Sequence, residues 1–234
     1  MTIKYLTKND VLAACIGGSV YASGGGGFYE HGLEMGEAAV ALSPVVLKTI
    51  DEFDFHFQTS VNKVEIKDLV TLRFLENKEN ILFYGTPGTG KTHLATAIGI
   101  EAAKKRNITY FITCHDLIQT LRKAHDENRL ESRLKHFAKY KLLIIDEIGY
   151  LPVDKTGANL LFQLIAKRYE HNSTIITTNQ PFSKWGDVFS DSMLANAILD
   201  RLLHHSHVVK MVGPSYRTKD YYDLLDSGEQ NQNR

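Results

Sequence analysis

Eight residues, Gly85-Thr86-Pro87-Gly88-Thr89-Gly90-Lys91-Thr92, match G-x-x-x-x-G-K-[ST] at every fixed position. Glycines at this spacing let successive backbone N–H groups turn toward one point, where a polyphosphate can lie. Lys91 is placed to reach β and γ phosphates, and Thr92 to offer its hydroxyl to Mg²⁺. The neighbouring stretch KLLIIDEIGY ends an apolar run in Asp146-Glu147. At the C-terminal edge of a parallel sheet such side chains reach into the ligand crevice. Asp146 is then placed to hold the Mg²⁺ shell, and Glu147 to polarise an attacking water as general base. Alone, an Asp-Glu pair at a strand end is usually only solvated; the phosphate loop beside it changes the reading.

Two further residues are candidates. Asn179 in STIITTNQPF follows an apolar run. A neutral amide there can orient the water or touch the γ-phosphate, or simply form the turn before Gln-Pro. Arg201 in MLANAILDRLLHH borders a helical stripe of Leu194, Ala197, Ile198 and Leu202. Its place is compatible with an ion pair to Asp200, with an interface, and with an arginine finger inserted into a neighbouring subunit's site.

These residues need a frame, and the hydrophobic pattern supplies one. NILFYG, ITYFIT, KLLIID, STIITTN and HVVKMV read as strands. Between them stand helical stretches: Thr92 to about Lys105, one long polar-faced helix from Asp116 to Tyr140, ANLLFQLIAKRYE, and SMLANAILDRLLHH. VEIKDLVTLRFLENK carries Ile66, Leu69, Val70 and Phe74 at helical spacing ahead of the first strand. Five strands alternating with helices predict an α/β domain with a mostly parallel sheet. Apolar strands such as LLII fit a sheet covered on both faces.

Other signals carry less. SGGGGFYEHG, Ser23 to Gly32, is glycine-rich but has no Gly-Lys-Thr, follows no clear strand and lacks a partner Asp-Glu. His204, His205 and His207 lack further ligands at clear spacing, so a structural or surface role is expected rather than a metal site. The basic residues Arg122, Lys123, Arg129, Arg133, Lys135 and Lys139 share their helix with Asp126, Glu127 and Glu131. A solvated charged face fits this mixture better than a surface for a phosphate backbone. Trp185 reads as a packing residue.

The chain has 234 residues, with 27 Lys plus Arg against 27 Asp plus Glu, so total charge argues for neither nucleic-acid nor membrane binding. Its 43% hydrophobic content suits a globular domain rather than a disordered one. Cys15 and Cys114 are isolated, and no apolar run approaches the roughly 20 residues that span a bilayer. The start MTIKYLTKND lacks the apolar core of a signal peptide. A soluble, cytoplasmic protein is expected. The expected organisation is a glycine-rich segment over 1–42, an α/β domain with the phosphate loop over 43–220 and a polar tail over 221–234.

From about Ser43 to Arg217 the chain resembles the ATPase region of IstB-like transposition helper proteins, relatives of the DnaC helicase loaders within the AAA+ superfamily. IDEFDF, GTPGTGKTHLATAIG, LLIIDEIGYLP, LLFQLIAKRYE, STIITTNQPFSKWGDVF, AILDRLLHHSHVV and GPSYR carry the likeness. The resemblance implies an AAA+ core with strand order 5-1-4-3-2 and no separate lid domain. It implies ATP as ligand with Mg²⁺, ATP-dependent homo-oligomerisation on DNA, and assistance to a partner transposase. It also implies roles: Gly85 to Thr92 as the nucleotide loop, Asp146 and Glu147 as the Walker B pair, Asn179 as sensor 1, Arg201 as the arginine finger and Arg217 as a further phosphate sensor. The helical domain with which IstB-like proteins usually begin is not recognisable here. Instead DVLAACIGGSVYASGGGGFYEHGLEMGEAAVAL resembles the start of the S-methyl thiohydantoin desulfurase-like, hydantoinase-associated proteins, which implies a chimera. A DnaC-like helicase loader and a chimeric ATP-binding module without working partner contacts remain the alternative assignments.

Overall fold

The apolar runs form five strands: β1 (Asn80–Gly85), β2 (Thr109–Thr113), β3 (Leu142–Ile148), β4 (Ser173–Thr178) and β5 (Ser206–Met211). This is a computed structural model, and it describes residues 49–219. The expected glycine-rich segment over 1–42, the boundary at 43 and the polar tail lie outside the described residues. The chain divides into two units, Met1–Glu52 and Phe53–Arg234. Of the first, a short turn of 3-10 helix over Ile50–Glu52 is described. The sheet and its helices belong to the second.

The strands pair in the order β2-β3-β4-β1-β5, which is 5-1-4-3-2 read from the other edge. All four pairings are parallel. Side chains alternate across each strand, so both faces of the central strands must be covered. Leu82, Leu143, Ile145 and Ile176 belong to one large buried cluster. That cluster also takes residues from α4 (Cys114–Asp126), α5 (Leu130–Ala138), α6 (Lys155–Arg168), α7 (Trp185–Val188) and α8 (Ser192–Leu203). On the other face Ile81, Phe83, Ile144 and Ile175 are buried. There α3 (Lys91–Lys104) packs on the sheet, with α1 (Lys63–Val70) against α3 and α2 (Arg73–Glu76) beside α1. Trp185 is fully buried, edge-on to Phe182 and Phe189, as a packing residue should be.

Two expected helices are broken. The segment before β1 divides into α1 and α2 because Leu72 takes the left-handed conformation, at φ 72°. The long helix after β2 divides into α4 and α5 around Asn128, at φ 56°. Asn tolerates that conformation through its short polar side chain, whereas Leu72 is held there by burial. The ion pairs Arg122–Asp154, Arg129–Glu127, Lys135–Glu131 and Lys167–Glu131 occupy much of the basic charge on and around these helices. Among the described residues no helix is long and apolar enough to cross a membrane.

Candidate nucleotide-binding site

β1 lies between β4 and β5, and the chain leaves it to form β2 at the far edge of the sheet. Connections therefore diverge at the C-terminal ends of β1 and β4, where open α/β sheets bind ligands. The loop Thr86–Gly90 starts there and enters α3 through Gly90, at φ 91°. Helices α1, α4, α6 and α8 begin with side-chain caps from Asn62, Thr113, Asp154 and Asp191, but α3 has none. Its first-turn N–H groups face the loop, where an anion can take the place of a cap.

Lys91 is 9% exposed. Its Nζ donates to the carbonyls of Gly85 at 2.9 Å and Thr86 at 2.7 Å. Burial pulls its ammonium down to about 8; Asp146 opposes that shift, and Arg217 adds to it. Arg217 is exposed and directly follows Tyr216, whose amide bonds the loop.

The segment carrying Arg217 folds onto the loop. Thr86 Oγ1 donates to the Gly213 carbonyl at 3.1 Å, and the Tyr216 amide donates to the Gly88 carbonyl at 2.9 Å. A Cβ on Gly88 would lie 1.9 Å from Ser215 Oγ, so only glycine admits this contact. Phe53 closes the other side: a Cβ on Gly90 would lie 2.6 Å from its ring, which also stands edge-on to His93. Lys219 ties the two flanks together, bonding Asp54 and lying over the rings of Phe57 and Tyr216. Phe53 and Ser215 lie in IDEFDF and GPSYR, but their place against the loop glycines is revealed only by their contacts.

Asp146, at the end of β3, meets the first turn of α3 across β4. Thr92 Oγ1 lies 3.0 and 3.1 Å from the two carboxylate oxygens of Asp146, which is 4% exposed. Thr177 Oγ1 donates to Asp146 Oδ1 and accepts the Glu147 amide at 2.9 Å. The β3–β4 register shifts between Ile145 and Ile148, and Glu147 takes φ 62°. A non-glycine residue in this region costs about 1–3 kcal/mol, and such strain gathers at functional sites. The bulge leaves Glu147 exposed while Asp146 and Ile148 stay buried. Thr92 and Asp146 together offer hard oxygen donors, a set that fits Mg²⁺.

Asn179 follows β4 directly, and its buried Oδ1 has no hydrogen-bond partner among the described residues. Buried amide oxygens are normally satisfied, so this one is suited to a water or ligand. Arg201 does not join the group. Its Nη1 donates to the Ala197 carbonyl at 2.9 Å, and its guanidinium lies 4.7 Å from the Phe162 ring centroid. His207 bonds Glu79 at 3.0 Å. His204 and His205 each lie 3.8 Å from Glu170, and all three are solvent-exposed.

Fold and site together define a P-loop nucleotide-binding core of the AAA+ type. Among solved structures, the replication initiator DnaA bound to AMPPCP and single-stranded DNA is similar in fold, with TM-score 0.58 and 21% identity over 77% of this chain and 55% of that one. The DnaC helicase loader is similar at TM-score 0.55 and 28% identity, over 63% of this chain and 86% of that one. The family described as IstB-like ATP binding protein matches residues 32–223. The ATP-binding protein of insertion sequence IS232 from Bacillus thuringiensis subsp. berliner is 66% identical over 175 residues, 75% of this chain and 70% of that protein. That of IS5376 from Geobacillus stearothermophilus is 54% identical over 173 residues, 74% of this chain and 69% of that protein. This chain belongs to the IstB-like ATP-binding protein family.

Proposed function

We propose that this chain is an Mg²⁺-dependent ATPase that assembles on duplex DNA as a homo-oligomer in the cytoplasm and assists a transposase. The meeting of Thr92 and Asp146 beside the phosphate loop, with Glu147 next to Asp146 in β3, supports the catalytic part. The insertion-sequence names of the relatives support the biological part.

In this reading Lys91 exchanges the Gly85 and Thr86 carbonyls for β and γ phosphate oxygens, and the first turn of α3 shares that charge. Thr92 and Asp146 hold Mg²⁺, which supplies positive charge against the phosphate oxygens. Glu147 takes a proton from a water whose oxygen attacks the γ-phosphorus; the bond to the β–γ bridging oxygen breaks, releasing ADP and phosphate. Asn179 Oδ1 orients that water. Arg217 faces the phosphates from the same chain, and Arg201 enters the site of a neighbouring copy as an arginine finger.

The test is the ATPase rate with and without duplex DNA over a range of protein concentrations. Specific activity should rise with both. A rate indifferent to concentration and DNA, or a Lys91→Ala variant that hydrolyses ATP normally, overturns the reading. The likeness to DnaC favours one other assignment, a loader that grips single-stranded DNA and a helicase. Recovery of a helicase rather than a transposase in a pull-down would favour that assignment.

A further inference from the structure

Thr177 lies in STIITTNQPF, where the sequence points to Asn179 and gives Thr177 no role, yet its hydroxyl touches both members of the Asp146-Glu147 pair. We propose that Thr177 is a positioning residue that holds the two carboxylates in the arrangement needed for metal binding and water activation. The proposal rests on the ATPase reading of the site.

The side chain is 2% exposed and projects from β4 toward β3. A hydroxyl has one proton to give and lone pairs to accept. Here the proton goes to Asp146 Oδ1, and a lone pair takes the amide of Glu147 at 2.9 Å. The second bond falls where the β3–β4 register is interrupted and Glu147 adopts φ 62°. A side chain, rather than the strand ladder, thus secures the backbone of the exposed carboxylate.

The first bond matters because of what Thr92 must do. Its hydroxyl lies within 3.1 Å of both Asp146 oxygens. To ligate a cation, Thr92 must turn a lone pair toward the metal. Thr177 lies outside that contact and remains as a donor to Asp146. Carboxylates that hold metals are themselves held by such outer hydrogen bonds. Thr177 also stands two residues before Asn179, so one short segment links the unpartnered amide oxygen to both carboxylates.

The plainer alternative is a β-branched residue filling a strand interior. Thr177→Val keeps the volume and β-branching and removes the hydroxyl; Thr177→Ser keeps the hydroxyl. Binding of a fluorescent ATP analogue to the full chain is measured in EDTA and across a MgCl₂ titration, with single-turnover hydrolysis beside it. The valine variant should bind the analogue in EDTA as the parent does. Its Mg²⁺ half-saturation should rise about 10–100-fold, and its turnover should fall. The serine variant should restore both. Unchanged Mg²⁺ dependence in the valine variant overturns the proposal. So does an equal loss of affinity in EDTA and Mg²⁺, or a serine variant as impaired as the valine one. Thr177→Ala replaces the valine variant should that one not fold. A parent that binds Mg²⁺ and the analogue but never hydrolyses ATP defeats the ATPase reading alone, while the Mg²⁺ titration still decides the role of Thr177.

Discussion

The backbone amide of Tyr216 donates to the carbonyl of Gly88 at 2.9 Å, so a turn near the end of the described chain rests on the phosphate loop. Ser215 fills the space that a Gly88 side chain would need, and Gly88 has φ +78°. Gly88→Ala should therefore lose affinity for an ATP analogue and lower Tm. Adding Ser215→Gly should recover only part of the loss, because the left-handed backbone still costs about 1 kcal/mol with a Cβ present. A Gly88→Ala variant that binds like the parent would show that this turn does not constrain the loop.

Burial pulls the Lys91 ammonium down to about 8, so its charge is held against desolvation. Lys91→Met should leave Tm unchanged or raise it, since a buried charge is removed. Turnover should fall about a hundredfold or more, through loss of charge at the phosphates. Differential scanning fluorimetry and a phosphate-release assay separate the two effects. A clear drop in Tm would mean that the bonds to Gly85 and Thr86 are structural supports.

Asp54 accepts the amides of Phe57 and His56 and pairs with Lys219. The Phe57 amide, then Lys219, holds its carboxyl below the ordinary value. A lowered folded-state pKa gives stability that is present above the unfolded value, about 3.9. That stability is lost as pH falls through the folded-state value. The gap in Tm between parent and Asp54→Asn should be constant near neutrality and close below about pH 4. A gap that does not narrow on acidification would assign the effect to packing.

Arg168 is fully buried, and its five hydrogen bonds go to neutral oxygens: Thr174 Oγ1 and the carbonyls of Phe137, Ala138, Tyr140 and Ser173. It fastens the end of α5 to the start of β4. Each buried acceptor left bare costs about 1–3 kcal/mol, so Arg168→Leu should lower Tm by roughly 10 °C. Arg168→Lys should not rescue it, because an ammonium lacks the planar fork. Affinity for an ATP analogue in the folded variant should match the parent, since the loop lies at the other end of the strands.

Arg201 stacks on Phe162 within its own subunit, so a role in trans requires its release toward a neighbour. Arg201→Ala should bind the ATP analogue normally and hydrolyse it slowly at every protein concentration. Mixed with Glu147→Gln, which supplies an intact arginine, activity should reappear. Mixtures no more active than their components would place Arg201 outside the reaction.

Much of this was legible because its causes are local. The phosphate loop is a run of backbone conformations set by glycines at fixed spacing, with Lys91 and Thr92 adjacent. The five strands were readable because both faces of a parallel sheet demand apolar runs, and LLII and TIIT meet that demand. The breaks at Leu72 and Asn128 escaped because hydrophobic spacing continues across a left-handed residue, and Leu72 has no intrinsic preference to betray it. Thr177 escaped for a different reason: a threonine in a strand is ordinary, and only its neighbours make it otherwise.

The sequence by itself determined the class of ligand, the strand and helix order, and which carboxylates stand at a strand end. Those depend on residue type and short-range geometry. The tertiary structure decided which hydroxyl meets which carboxylate and which turn covers the loop. Thr177 and Asp146 are 31 residues apart, Thr92 and Asp146 54, and Thr86 and Gly213 127. Such meetings depend on sheet order and register, and a one-residue slip turns each side chain to the opposite face.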